Sequence, residues 1–532
     1  MFIKSKGFTL IELLAVIVIL AIIAVIATPI ITGIIEDTKK ESFKRSAEGV
    51  VEATKFDIAD KMTDSGYTYT LSDGKIANLN ENVKISNSKG MNGSIKYNKD
   101  GEVSYAIYND KWCVIKEGND VTLSNNIDKC VIVNPYKEEI LNGTYPVLDE
   151  KMIAITYTET GIPKVADESS EWYSYASRKW ANAVVLVNNP SKTYNVGDEI
   201  EESDIAAYFV WIPRYEYTLK GNFGVNGESK TNPGYVDIRF TNVSEESNGT
   251  ASYIEGNPTN YRTQDAFKFG EENLSGIWVG KFETTGTADN PTIKPGITSL
   301  RSQNVSTQFE TAKKIGINNS LSLETSMMKN SEWNAVAILS QSIYGRCPSD
   351  STCPEVALNN NTNFITGSAT AGSTYNSEEG VKASTTMNIT GVYDMNGGAA
   401  EWVMGVLLDS DGKPRSGYNI SNNSGFNGKL QDGTEKTDGL ALPESKYYDS
   451  FTITGENTKV DLTTGCNGGK CYGTVEFGGW YNDYTMSIVP AYPWLLRGGA
   501  CSNGASAGLW VFGGDGGSAV GFFSFRAVIR GA

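Results

Sequence analysis

A chain of 532 residues with 46 Lys and Arg against 62 Asp and Glu carries a net charge of −16 and contains no histidine. The missing imidazole excludes Ser-His-Asp triads and histidine metal centres, and the acidic balance makes a nucleic-acid footprint unexpected. With 40% hydrophobic and 20% charged residues, the length suits about three or four domains with buried cores and rules out wholesale disorder.

The first element is a helix. Lys4 and Lys6 precede residues 13–35, a run of 23 without a charge. At about 1.5 Å per residue this run makes roughly 35 Å of helix, enough to cross a bilayer with the N-terminus cytoplasmic and the rest exported. It is too long for the apolar part of a secretory signal peptide. A plain membrane anchor explains the length but not Glu12, whose carboxylate costs about 2.5–3.5 kcal/mol at mid-bilayer and somewhat less near the end, and so requires a cationic partner.

The segment Lys6-Gly7-Phe8-Thr9-Leu10-Ile11-Glu12-Leu13-Leu14 resembles the processing signal of type IV pilins and pseudopilins. Residues 1–7 are then a leader. The resemblance implies cleavage after Gly7 by a prepilin peptidase and methylation of the new N-terminus at Phe8. It also implies pairing of Glu12 with the free amine of a neighbouring pilin subunit as helices pack in a filament. Pro29 sits where such pilins have a proline and is expected to kink or locally melt the helix.

From Glu36 to Met62 the pattern turns amphipathic, with Phe43, Ala47, Val50, Val51, Thr54 and Ile58 spaced by three or four, which extends the transmembrane and assembly helix over 8–62. Strand-like runs at Tyr67–Leu71, Ser94–Tyr97, Val103–Tyr108 and Trp112–Ile115 predict a small antiparallel sheet, and thus a pilin-like head over 63–135. The cysteines fall into near-sequence pairs, Cys113 with Cys130, Cys347 with Cys353, and Cys466 with Cys471, leaving Cys501 alone. Three local disulfides in an oxidising compartment are the simplest reading. Reduced thiols or a metal knuckle are the alternative, although four thiolates never fall together at zinc spacing.

Residues 136–202 read as a strand-rich connecting segment without a catalytic pattern. Beyond 203 come aromatic strand runs at Tyr208–Tyr215 and Gly276–Glu283, then one helix over Ser331–Tyr344, with loop between them. Three segments, Ser331–Ala337, Gly391–Trp402 and Leu496–Gly499 with a final Ser524-Phe525-Arg526, resemble the formylglycine-generating enzyme superfamily, whose fold is a C-type-lectin-like variant. The resemblance covers 203–532 and implies an α+β chain: a long pilin helix, a small antiparallel head and a large loop-rich lectin-like domain. Those enzymes hold copper with two cysteines after the Arg-Gly-Gly segment. Here only Cys501 follows, at a different offset, so the fold is expected without the chemistry and no catalytic residue is assigned. Calcium remains possible in loops such as Asp394–Glu401.

The stretch Gly498–Phe525 holds nine glycines, five aromatics and one charge, Asp515, in 28 residues. A binding loop gains adaptable backbone from Gly, Ser and Asn and rigid contact area from rings; alternatively, the rings pack inward as terminal core strands. A segment framed by Arg-Gly-Gly and Phe-Arg also resembles the variable proteins of diversity-generating retroelements, whose mutagenised positions form a ligand-binding face. That resemblance implies ligand contacts at Ala500, Cys501, Ser506, Trp510, Val511, Phe512, Asp515, Ser518, Val520, Phe522 and Phe523, framed by Arg497, Gly498, Gly499 and Arg526. A lone thiol outside the cell is a liability as a structural choice but tolerable at a varied position.

The expected protein is a minor pilin or adhesin, membrane-held before assembly and then on the cell surface, presenting a domain that binds an extracellular glycan or protein. Its partners would be the prepilin peptidase, other pilins and the membrane. The competing readings are an exported enzyme with a divergent site and a structural pseudopilin of a secretion or DNA-uptake machine.

Overall fold

The structure, a computed structural model, describes residues 10–531 apart from 59–60, 62–66, 77–78, 81–82, 98–100, 102, 118–119, 126, 128–129, 131–140, 142–143, 169–171, 221–234, 250–260, 348–352, 370–372, 409–422, 430–434, 453–479 and 485–490. The chain divides into two compact units, Met1–Asn134 and Pro135–Ala532.

In the first unit, α1 (Leu10–Lys55) is assigned as helix without a break through Pro29. The expected local melting is not seen. A proline removes one backbone donor, and the apolar turns on either side keep their own bonds. The helix ends at Lys55, seven residues short of the expected Met62. There the chain turns to bury the Asp57 carboxylate, which accepts from the Tyr69 hydroxyl at 2.8 Å, the Asn80 N–H at 2.9 Å and the Lys61 ammonium at 2.5 Å.

An antiparallel sheet follows, from β1 (Tyr67–Ser72), β2 (Lys75–Ile76), β3 (Asn92–Tyr97), β4 (Val103–Tyr108), β5 (Cys113–Glu117) and β6 (Asp120–Ser124), in the order β2-β1-β3-β4-β5-β6. Phe43, Ala47, Val50 and Val51, one face of α1, pack with Tyr69, Ile95, Tyr97, Ile107 and Val114 of the sheet. Thr54 and the Tyr97 hydroxyl share a hydrogen bond of 2.9 Å inside this layer. Cys113 and Cys130 are joined as expected.

The second unit begins with strands that the sequence suggested were only a connection. β7 (Met152–Tyr157), β8 (Pro163–Val165) and β9 (Asn182–Leu186) join β10 (Ile205–Pro213) in one sheet. Val184 and Val185 are wholly buried there, and the second compact unit runs from Pro135. β11 (Tyr215–Lys220), β12 (Tyr235–Phe240) and β13 (Arg262–Thr263) form a small sheet, and β14 (Lys268–Phe269) with β15 (Glu272–Asn273) a hairpin. β16 (Gly276–Gly280) returns to the large sheet, and β17 (Thr285–Gly286) with β18 (Pro291–Thr292) makes a second hairpin.

Helix α2 (Val305–Asn318) lies in a stretch assigned to loop from sequence. Its signal was present: Asn304 caps the Thr307 N–H at 2.9 Å, and Val305, Phe309, Ala312 and Ile315 recur at helical spacing on the buried face. Next come β19 (Glu324–Met327) and α3 (Asn330–Ser340), the expected helix, every residue of which is buried.

β20 (Ala400–Leu408), the pair β21 (Asn427–Lys429) and β22 (Glu435–Leu440), β23 (Asp449–Thr452), β24 (Trp494–Gly498), β25 (Gly508–Asp515), β26 (Phe523–Phe525) and β27 (Ala527–Arg530) complete the unit. The large sheet is antiparallel in the order β19-β27-β16-β10-β9-β7-β8. A mixed five-stranded sheet runs β23-β20-β24-β25, with β26 parallel to β20. The chain thus passes from the mixed sheet to the large one at Arg526. Two buried ion pairs hold this end: Arg526 to Glu401 of β20, and Arg530 of β27 in a two-pronged contact of 2.6 and 2.7 Å with Glu332 of α3. Mixed helix and antiparallel sheet agree with the α+β expectation at that level.

Candidate recognition surface

The Gly498–Phe525 stretch is built as β24, a tight turn, β25, a loop and β26. Gly499 has φ +70°, a left-handed conformation that starts the turn, and a Cβ there would lie 2.9 Å from the Ala507 backbone. The turn closes with the Asn503 side chain accepting from the Ala500 N–H at 2.7 Å. β25 then pairs antiparallel to β24, setting Phe512 opposite Arg497. Gly508 is required by contact rather than by flexibility, since a Cβ would come within 2.0 Å of the Asp483 carboxylate.

The expected binding face is largely core. Trp510 is 2% exposed and meets Trp480 edge-on at 5.0 Å; Phe523 is 6% exposed and meets Trp402 at 5.0 Å. Phe512 lies under the Arg497 guanidinium at 5.6 Å, and Ala500, Cys501 and Val511 are buried too. Full burial of such rings stabilises by about 1.5–3 kcal/mol each, and the mixed sheet supplies the partners for the three of them. Of the eleven positions, Ser506 and Phe522 are exposed, and Asp515, Ser518 and Val520 are partly so.

Phe522 is 48% exposed, its ring set edge-on to Phe523 at 4.7 Å and its carbonyl accepting from the Ala400 N–H at 3.0 Å. Two loops that sequence reasoning missed complete its surroundings. The Arg301 guanidinium donates to the Gly521 carbonyl and stacks on the Phe364 ring at 3.9 Å. The Ser302 N–H donates to the Val520 carbonyl at 3.2 Å, and a bridge between Thr298 and Ile365 joins the other two loops, with Ile297 exposed beside it. Loops 297–302, 361–366 and 518–522 thereby adjoin one another and carry the exposed Ile297 and Phe522, the half-buried Phe364 and the Arg301 guanidinium. No sequence signal links residues so far apart.

Beneath this surface lie three buried carboxylates. Glu401 is paired with Arg526; burial pushes its carboxyl up against the pull of that cation. Asp394 accepts from the Asn359 amide at 2.9 Å and the Gly367 N–H at 2.8 Å. Glu283 accepts from the Ala399 N–H at 2.8 Å, and burial, with Asp394 and Glu401 nearby, holds it well above the usual carboxylate range. All three acids already face protein donors, and among the described residues no cluster of three or more Cys, Asp or Glu side chains could hold a metal ion.

The Cys501 thiol is pushed up by burial and by Glu283, which keeps it protonated and a poor nucleophile. Lys281, wholly buried, spends its Nζ on Asn182 Oδ1 at 2.7 Å and the carbonyls of Ile389 and Gly391. Arg497 is also internal, donating to Asn330 at 3.4 Å and Asn334 at 3.0 Å.

Cys347 and Cys353 are bonded, whereas Cys466 and Cys471 lie outside the described residues, as do Gly7 and Phe8. Glu12 falls within α1, its side chain outside the described set. Among the described residues no helix is long and apolar enough to cross a membrane. Most side chains of the 13–35 run are not among them, while Leu14, Ile17, Val18, Ile19 and Ile35 are exposed on α1.

Residues 3–28 match the family model described as the prokaryotic N-terminal methylation motif. No curated protein matches the chain. The motif implies processing by prepilin peptidase, assembly with other pilins, and membrane anchoring followed by a pilus or surface location. The N-terminus is that of a type IV pilin-like protein related to pili or pseudopili.

Proposed function

We propose that the chain is a pilus-associated subunit whose second unit binds an extracellular ligand through the surface around Phe522. The observation that carries this reading is an exposed ring on the turn that leads into β26, with the Arg301 guanidinium, Phe364 and Ile297 brought near it by two other loops. Aromatic and arginine side chains on a preorganised frame are the usual energetic anchors of recognition sites. The motif at 3–28 supports export and assembly, and a unit of about three quarters of the chain supports a minor or tip position, because such an appendage on every subunit would crowd a filament.

Binding rather than catalysis is supported by the buried, protonated Cys501 and by acids already engaged with protein donors. The C-type-lectin-like kinship and diversification of the C-terminus belong to the same proposal. Any diversification that alters ligand choice would act at Ser506, Asp515, Ser518, Val520 and Phe522, the positions that reach solvent.

The test is a glycan and protein array probed with the full chain in detergent micelles, alongside Phe522→Ala and Arg301→Ala. Loss of the same ligands by both folded variants is expected. An array without ligands, or ligands retained by both variants, overturns the assignment.

A further inference from the structure

The second unit holds a cavity of about 420 Å³ away from the Phe522 surface, lined by Arg214, Glu246, Asn248, residues of 262–273, Lys329 before α3 and residues of 445–449. That volume falls in the range of about 300–1,000 Å³ typical of small-molecule sites. Although the chain is strongly acidic, five of the lining side chains are cationic and four acidic.

Some of the lining charges are already partnered: Lys446 lies 3.3 Å from Glu444. Asp265 pairs with Arg262 at 3.3 Å, and Asp449 accepts the Ser331 N–H at 2.7 Å at the start of α3. Arg214, 1% exposed, donates only to the carbonyls of Phe267 at 3.1 Å and Glu245 at 3.0 Å, and its Nε has no partner among the described residues. Lys329, 4% exposed, directs Nζ to the Lys268 carbonyl at 3.0 Å. Among the described residues neither cation has a carboxylate at ion-pair distance, yet buried charges are normally paired because desolvation is expensive. Glu245 and Glu246 act on Arg214 only from beyond ion-pair distance, which leaves a place for an anion beside it.

We propose that this cavity binds a carboxylate-bearing monosaccharide of the uronate or sialate class, the carboxylate received by Arg214 and Lys329. The neutral part of the wall suits a sugar better than a bare anion. Tyr448 offers a partly exposed ring for a sugar face, and amide and hydroxyl groups such as Asn248 and Ser445 suit its hydroxyls. The proposal is independent of the Phe522 surface and stands or falls separately from it.

Titration calorimetry of the full chain in detergent micelles against galacturonate and N-acetylneuraminate, with galactose and inorganic phosphate as controls, tests it. At least one acidic sugar is expected to bind and galactose to fail. Arg214→Gln should weaken binding by about ten- to a hundredfold, the worth of a hydrogen-bonded charge. Should that variant not fold, Tyr448→Ala at the rim is expected to weaken binding by about tenfold with an unchanged melting temperature. Absence of binding by both acidic sugars, equal binding of galactose, phosphate binding as tight as the sugars, or full affinity in a folded variant would each overturn the assignment.

Discussion

Arg526 and Glu401 form an ion pair with no exposure on either side chain, Nη2 to Oε1 at 2.5 Å, and the same guanidinium donates to the carbonyls of Gly280 at 2.7 Å and Tyr393 at 2.9 Å. One side chain thus ties β20 of the mixed sheet to β16 of the large sheet, at the point where the chain crosses between them. Glu401→Gln or Arg526→Met alone leaves a buried charge or donor unpaired and should cost about 3–5 kcal/mol, whereas Glu401→Met with Arg526→Met should recover much of the loss. Denaturant midpoints of the three variants check this. Additive losses in the double variant would show that the pair acts through something other than charge compensation.

The rings of the C-terminal stretch divide into core and surface. Trp510→Ala is expected to destabilise the second unit by about 3–5 kcal/mol, and Phe522→Ala by no more than about 0.5 kcal/mol. Comparable losses from the two would contradict the burial difference between them.

Asp483 and Glu355 set a pH dependence. Burial lifts Asp483 to about 8, aided by Glu355 and opposed by Arg497 and by the Trp510 N–H that it accepts at 2.7 Å; burial likewise lifts Glu355 to about 7. A carboxyl raised on folding binds more protons in the native than in the unfolded state. Its contribution is therefore present below the unfolded value near 4 and falls away as the pH rises through 7 to 8. The second unit should melt at a higher temperature at pH 5 than at pH 8, and Asp483→Asn should flatten that slope. A rising or flat profile across this window would count against both shifts.

The disulfides close loops of different length, 17 residues between Cys113 and Cys130 and 6 between Cys347 and Cys353. On the loop-entropy estimate, opening them costs about 3 and 2 kcal/mol respectively. Paired serine replacements in each, followed by thermal melts, should show the larger loss in the first unit, and the reverse order would point to strain or residual structure instead.

The helix of the first unit was legible because its period is local: Phe43, Ala47, Val50 and Val51 mark a face that the sheet then buries. The same holds for α3 and for the aromatic strands β10 and β16. The Asn304 cap of α2 is local too, but it sits among polar neighbours that read equally as loop. The C-terminal stretch misled because glycine and aromatic content is shared by adaptable loops and by strands packed at close range. Only the positions of Asp483 and Ala507 beside Gly508 and Gly499 distinguish the two.

The methylation motif, the charge-free run and the paired cysteines belong to the sequence alone, since each depends on residues within a few turns or a short loop of one another. The surface around Phe522 and the cationic cavity were decided by tertiary structure. Arg301 reaches Gly521 across 220 residues, and Arg214 and Lys329 meet at one cavity from separate elements. Contacts of that kind follow from which sheets pair and which faces are buried, a balance struck over the whole core rather than in any segment.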